Sequence, residues 1–141
     1  MLRDKLMDAM NELHLHGMRS VLDEILSAGI KQRHTPEKLL LDLLEAELAE
    51  RTARSIKYRL GIARFPVDKD LDSFEFSSSP VNEAQVRSLY AGSFLSSRSN
   101  VLLVGGTGTG KTHLAIAIAR HLIKQGQRGR YFNVVDLVNQ L

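Results

Sequence analysis

Leu2, Leu6, Met10 and Leu13 recur at the spacing of a helix face, and Val21, Leu22, Ile25 and Leu26 repeat that pattern further on. Gly17 separates the two runs, which predicts two short helices, the second ending near Gly29 as a residue just past a helix end. A stronger start follows. Thr35 is a good N-cap, Pro36 fits the first helical position, and Glu37 favours the positive end of the helix dipole. Leu39, Leu40, Leu43, Leu44 and Leu48 form the predicted buried stripe of this third helix. It should run to about Arg64, because Pro66 disfavours helical backbone in the residue before it. Glu47–Arg51 and Glu50–Arg54 stand four residues apart with the acid first, the more favourable order.

Residues 65–82 lose this periodicity. Phe65-Pro66, the acids Asp68, Asp70 and Asp72, and Ser77-Ser78-Ser79-Pro80 read as a linker interrupted by Phe74 and Phe76. Asn82 is placed to cap a helix through Val86, Leu89, Tyr90 and Phe94. The apolar run Val101-Leu102-Leu103-Val104 predicts a buried strand. Leu114, Ala115, Ile118, Ala119, Leu122 and Ile123 then predict a core-facing helix ended by Gly126. Tyr131-Phe132-Asn133-Val134-Val135 predicts a second strand, and Asp136 a cap for a last helix reaching the chain end at Leu141. The expected fold class is therefore α/β. A helical domain over 1–65 and a linker over 66–82 precede an incomplete domain over 83–141, built as strand, loop, helix and strand.

Composition changes this picture little. The 141 residues are 43% apolar with a net charge of +3, enough for a core and compatible with a polyanionic partner without requiring one. The distribution of charge says more. Residues 37–50 hold Glu37, Asp42, Glu45, Glu47 and Glu50 against Lys38 alone, whereas residues 51–64 hold Arg51, Arg54, Lys57, Arg59 and Arg64 with no acid. There is no cysteine, which excludes disulfides and thiolate metal sites and makes a cytoplasmic location the default expectation. No signal-peptide pattern or membrane-length apolar stretch is present.

The sharpest chemistry follows the predicted first strand. Gly105 to Thr112 read G-G-T-G-T-G-K-T, the phosphate-loop spacing G-x-x-x-x-G-K-[ST] between a strand and a helix. The glycines Gly105, Gly106, Gly108 and Gly110, with Thr107 and Thr109, let backbone N–H groups curl round a polyphosphate, and the helix N-terminus adds partial positive charge. Lys111 is the residue to reach the β- and γ-phosphates, and the Thr112 hydroxyl the one to ligate magnesium. ATP and Mg2+ are the ligands this implies. Hydrolysis requires an acid at the end of a later strand. The only Asp-Glu dipeptide, Asp23-Glu24, precedes the loop and reads as solvated surface, so the chain carries a nucleotide grip without a visible hydrolytic apparatus.

The run Asn100 to Ala119, N-V-L-L-V-G-G-T-G-T-G-K-T-H-L-A-I-A-I-A, resembles the AAA+ ATPases of the IstB/DnaC group, with His113-Leu114-Ala115 its specific part. The Gly17-Met18 and Leu22–Leu26 region, Leu43 to Arg51 with Ala63-Arg64-Phe65, and Leu71 to Phe76 resemble the IstB branch, the ATP-binding helpers of insertion-sequence transposition. Gly106-Thr107 stands where many relatives have proline before the central glycine, a departure that leaves the phosphate-facing positions intact. The resemblance implies a helical N-terminal domain and the opening of an AAA+ domain. It implies ATP-dependent assembly on double-stranded DNA, recruitment or stimulation of a transposase, and a homo-oligomer at full length. It also places the family's first strand between later strands, so Val101 to Val104 would lack neighbours here, and the chain is expected to be part of a longer protein.

Arg51, Arg54, Lys57, Arg59 and Arg64 are the candidate DNA contacts, against the plainer reading of a solvated helix face. Arg120, Lys124, Arg128 and Arg130 fit charge complementarity at a helix end better than DNA contact. Phe74 and Phe76 suit either packing near an adenine or core packing, and the five histidines have no metal spacing. A transposition helper is the leading functional expectation, followed by a replicative helicase loader. A helical interaction module with an incomplete ATPase, and a small-molecule kinase, are the readings from other classes.

Overall fold

The computed structural model describes all 141 residues, which divide into two compact units, Met1–Ser55 and Ile56–Leu141. The first unit contains helices α1 (Leu2–Glu12), α2 (His16–Gln32) and the opening of α3 (Pro36–Ala63). Met10, Met18, Leu22 and Leu43 are its buried core, with Met7, Leu15, Val21 and Ile25 packed around them. Burying side chains of this size stabilises by about 1.5–3 kcal/mol each.

Thr35 and Pro36 open α3 as their chemistry predicts, the Thr35 hydroxyl accepting the Lys38 N–H at 3.3 Å. The glycines act differently from the expectation. Gly17 lies inside the first turn of α2, and the break between α1 and α2 falls at His14, whose φ is 57°. Gly29 is buried within α2 against Leu39, and the left-handed residue after that helix is Arg33. The predicted leucine stripe is also redistributed. Leu43 is buried, but Leu40, Leu44 and Leu48 are exposed, and Glu47 occupies the inward row instead.

Glu47, only 4% exposed, is the buried charge of this unit, and it is fully partnered. Its Oε2 accepts the Met18 N–H at 3.0 Å, and its Oε1 accepts from Arg51 Nε at 2.9 Å. The residue before α2, Leu15, supplies no capping side chain. A carboxylate from α3 therefore caps the positive end of α2 across the unit, which is where a negative charge is stabilised. The backbone N–H of Met18, and then Arg51, hold its carboxyl below the usual glutamate range against the opposing effect of burial.

The second unit contains the end of α3, a 3-10 turn at Phe76–Ser78, and helices α4 (Glu83–Tyr90), α5 (Ser93–Ser96), α6 (Lys111–Lys124) and α7 (Val134–Gln140). Asn82 caps α4 by accepting the Gln85 N–H at 3.1 Å. Gly92, with φ 81°, turns the chain before Phe94, which the pattern assigned to the same helix. Leu71, Val86, Leu114, Ile118 and Leu122 form the core, ringed by Phe74, Phe76, Val81, Leu89, Tyr90, Phe94 and Leu103. Ile116, Ala117 and Ile123 of α6 are buried as well.

The α/β expectation is overturned: every regular element is helical, and neither predicted strand is present. A strand exists through hydrogen bonds to a neighbour, and Val101–Val104 makes none with another segment. The run keeps the alternation of a strand nonetheless. Val101 and Leu103 line an apolar groove of about 300 Å³, while Leu102 and Val104 are 86% and 93% exposed. The second predicted strand fails for a local reason. The Asn133 side chain accepts the Val135 N–H at 2.9 Å and starts α7 at Val134, so Val134 and Val135 are helical. Asp136, expected as the cap, lies in the first turn.

Candidate nucleotide site

The loop Gly105–Gly110 leads directly into α6. Gly110 is the N-cap residue with φ 90°, Gly108 has φ 74°, and both are conformations that side-chain-bearing residues rarely adopt. No side chain caps α6, so the N–H groups of its first turn point out of the helix without a side-chain acceptor. Thr109 Oγ1 donates to the Gly106 carbonyl at 2.8 Å and fixes the loop's curl. Lys111 Nζ donates to the Gly105 carbonyl at 2.8 Å and to that of Gly106, so its ammonium lies against the loop. Thr107 and Thr112 are exposed, and the Thr112 hydroxyl is bound to no other residue. The chain thus brings together one ammonium, the free hydroxyls of Thr107 and Thr112 and an uncapped helix N-terminus within eight consecutive residues, Gly105 to Thr112. That donor set has the chemistry to fit a polyphosphate.

Three contacts that the sequence does not announce fasten the 68–74 segment to α6. Arg120 Nη1 donates to Asp68 Oδ1 at 2.7 Å, and His113 Nε2 lies 2.7 Å from the Asp70 carbonyl. The Phe74 ring meets His113 edge-on at 5.2 Å and packs against Gly110 so closely that a Cβ there would lie 2.6 Å from it. Phe74 also meets Phe76 edge-on at 4.9 Å. The Ser73 N–H donates to Asp70 Oδ1 at 3.0 Å, which holds that carboxyl below the usual aspartate range.

The candidate DNA residues fall into two groups. Arg51 is paired to Glu47, and Arg54 grips Glu50 with contacts of 2.6 and 2.8 Å, so their charge is already compensated. Lys57, Arg59 and Arg64 make no ion pair. Within the second unit, the Tyr131 N–H donates to the Ala63 carbonyl at 2.7 Å, and the Phe65 and Tyr131 rings lie 6.5 Å apart. This brings the exposed Arg128–Arg130 segment beside the end of α3, a juxtaposition of two basic groups that lie far apart in the sequence. Arg130 packs over the Phe132 ring at 5.0 Å.

A glycine-rich loop opening a helix, a docked segment beside it and a helical N-terminal unit fit a nucleotide-binding class, and comparison with known proteins supplies the family. The profile of the family described as IstB-like ATP binding protein matches residues 8–141, and the chain belongs to that family. It is 33% identical over 141 residues to a Geobacillus stearothermophilus protein described as an ATP-binding protein of insertion sequence IS5376, covering 99% of this chain and 56% of the relative. A Sinorhizobium fredii insertion sequence ATP-binding protein is 37% identical over 134 residues, covering 94% and 45%. An IS21-like one from Bacteroides fragilis is 30% identical over 136 residues, covering 96% and 68%. The chain spans about half the length of the first two relatives. No helix is long and apolar enough to cross a membrane.

Proposed function

We propose that this chain supplies the ATP grip of an insertion-sequence transposition helper. The observation that carries the reading is the uncapped N-terminus of α6 behind a loop with two left-handed glycines, with Lys111 folded over it. In this reading the N–H groups of Gly108 to Thr112 would hold the phosphates, Lys111 would turn its ammonium from the loop carbonyls toward them, and the Thr112 hydroxyl would ligate magnesium. Bound magnesium supplies charge neutralisation at the phosphates; this chain's own residues orient the triphosphate and hold it.

The proposal extends to the whole protein. ATP binding drives homo-oligomeric assembly on double-stranded DNA, and the assembly recruits or stimulates a transposase. Lys57, Arg59 and Arg64, joined by Arg128 and Arg130, are unpaired basic groups that would neutralise DNA phosphates. The relatives' descriptions as insertion sequence ATP-binding proteins favour this reading over a helicase loader.

A titration with a fluorescent ATP analogue tests the grip. Lys111→Ala should weaken binding by about tenfold or more, as expected for a lost charge-assisted contact, and Thr112→Ala should remove the magnesium dependence. Equal affinity of Lys111→Ala and the unaltered chain would refute the reading.

A further inference from the structure

The segment that runs along α6 ends at the residues that shape the phosphate loop. Arg120, His113 and Gly110 meet Asp68, Asp70 and Phe74 in turn, so the segment descends α6 toward its N-terminus. The contact at His113 is the most directional. A carbonyl can only accept, so Nε2 carries the proton and donates to Asp70 O, with Ser73 Oγ a further 3.2 Å neighbour. The turn it grips is closed by the Ser73 N–H on Asp70 Oδ1 and the Phe74 N–H on Leu71 O, both near 3 Å. Leu71 anchors that turn in the core at 4% exposure.

Two consequences follow for the loop. His113 directly follows Thr112 in the first turn of α6, so its hydrogen bond restrains the turn whose free N–H groups face the loop. Phe74 occupies the space a side chain at Gly110 would need, so the docked turn packs directly against the left-handed Gly110.

We propose that His113 is a positioning residue that couples docking of the Asp70–Phe74 turn to nucleotide binding at the adjacent loop. This rests on the nucleotide-binding reading above. With the turn docked, the Gly110 backbone and the first turn of α6 are held in the geometry an anion requires, and binding costs less ordering. By reciprocity, ATP must tighten the docked turn by the same factor that docking raises ATP affinity.

Amide hydrogen exchange at Ser73 and Phe74, together with ATP affinity, tests both directions on the full chain. Magnesium-ATP should slow exchange at these two amides several-fold in the unaltered chain. His113→Ala should weaken ATP binding about threefold to tenfold, as loss of one hydrogen bond would, and abolish the ATP-dependent slowing. His113→Gln, whose side-chain amide reaches about as far as the histidine Nε2 and can donate to the same carbonyl, should recover most of both effects. His113→Phe keeps the ring and its contact with Phe74 but lacks the donor. It should still lose the coupling, which serves the test if the alanine variant does not fold. Unchanged ATP affinity in His113→Phe, or Ser73 and Phe74 exchange indifferent to ATP in a chain that binds it, would overturn the coupling alone. A chain that binds no ATP at all would overturn the nucleotide reading and the coupling with it.

Discussion

Replacing glycine by alanine in a helix normally stabilises, by roughly 0.5–1 kcal/mol, because alanine loses less backbone entropy on folding. Gly17 and Gly61 both lie in helices, and their surroundings predict opposite outcomes for this one change. A Cβ at Gly61 would meet nothing within 4 Å, so Gly61→Ala should realise the full gain. A Cβ at Gly17 would lie 2.7 Å from the Ala46 carbonyl oxygen and 2.8 Å from both Glu47 Cα and Glu50 Cβ. The first two are backbone atoms of α3, so no rotamer change relieves the clash and α2 must move away. Overpacking of this kind costs about 1–3 kcal/mol. The movement also stretches the 3.0 Å bond from Met18 N–H to Glu47, which caps α2. Set against the helix gain, Gly17→Ala should destabilise its unit by about 1–2 kcal/mol net. Because the chain forms two units, each variant is best read within its own. Native-state amide exchange at Leu22 reports on the first and at Ile118 on the second. Leu22 protection in Gly17→Ala equal to or above that of the unaltered chain would refute the close-approach argument. Weaker Ile118 protection in Gly61→Ala would refute the claim that space decides the sign.

The capping role of Glu47 predicts a pH dependence. Its folded pKa is lowered, so its stabilisation is present above the ordinary glutamate value and is lost as pH falls through the lowered one. Thermal melts across the acid range should show this loss in the unaltered chain and a flatter profile in Glu47→Gln; matching profiles would remove Glu47 from the account. For DNA, each of Lys57, Arg64 and Arg128 changed to alanine should reduce the slope of log affinity against log salt by about 0.9 if it neutralises one phosphate. Arg54→Ala should leave that slope nearly unchanged, because its charge already serves Glu50. An equal loss from Arg54 and Lys57 variants in duplex-binding titrations would contradict the division into paired and free charges.

Several features were legible from residues 1 to 141 read in order, because they depend on neighbours along the chain. Thr35-Pro36 starts a helix through its own hydroxyl and fixed ring, and Asn82 does the same for α4. The glycine-rich run Gly105–Gly110 leads into α6 through local backbone preference, and the Asn100–Ala119 run placed the chain in the family that the profile match then identified. Strands are a different case. Val101–Val104 has the alternation of one, but a strand requires a partner's N–H and C=O groups, and no other segment supplies them. At Val134 a cap on Asn133 outweighed the β-branched pair.

What the tertiary structure decided depends on residues distant in sequence. Helical spacing offers five leucines of α3 as candidates for burial. Only the approach of α2 at Gly17 selects Leu43 and the Glu47 carboxylate over Leu40, Leu44 and Leu48. The sequence places His113 directly after Thr112; folding brings it to a carbonyl 43 residues earlier. The same holds for the basic groups at the end of α3 and around Arg128, joined through Tyr131 and Ala63. Local hydrogen bonding and backbone preference write themselves into short runs of sequence. Desolvation and long-range pairing do not, because they are properties of surfaces that exist only once the chain has closed on itself.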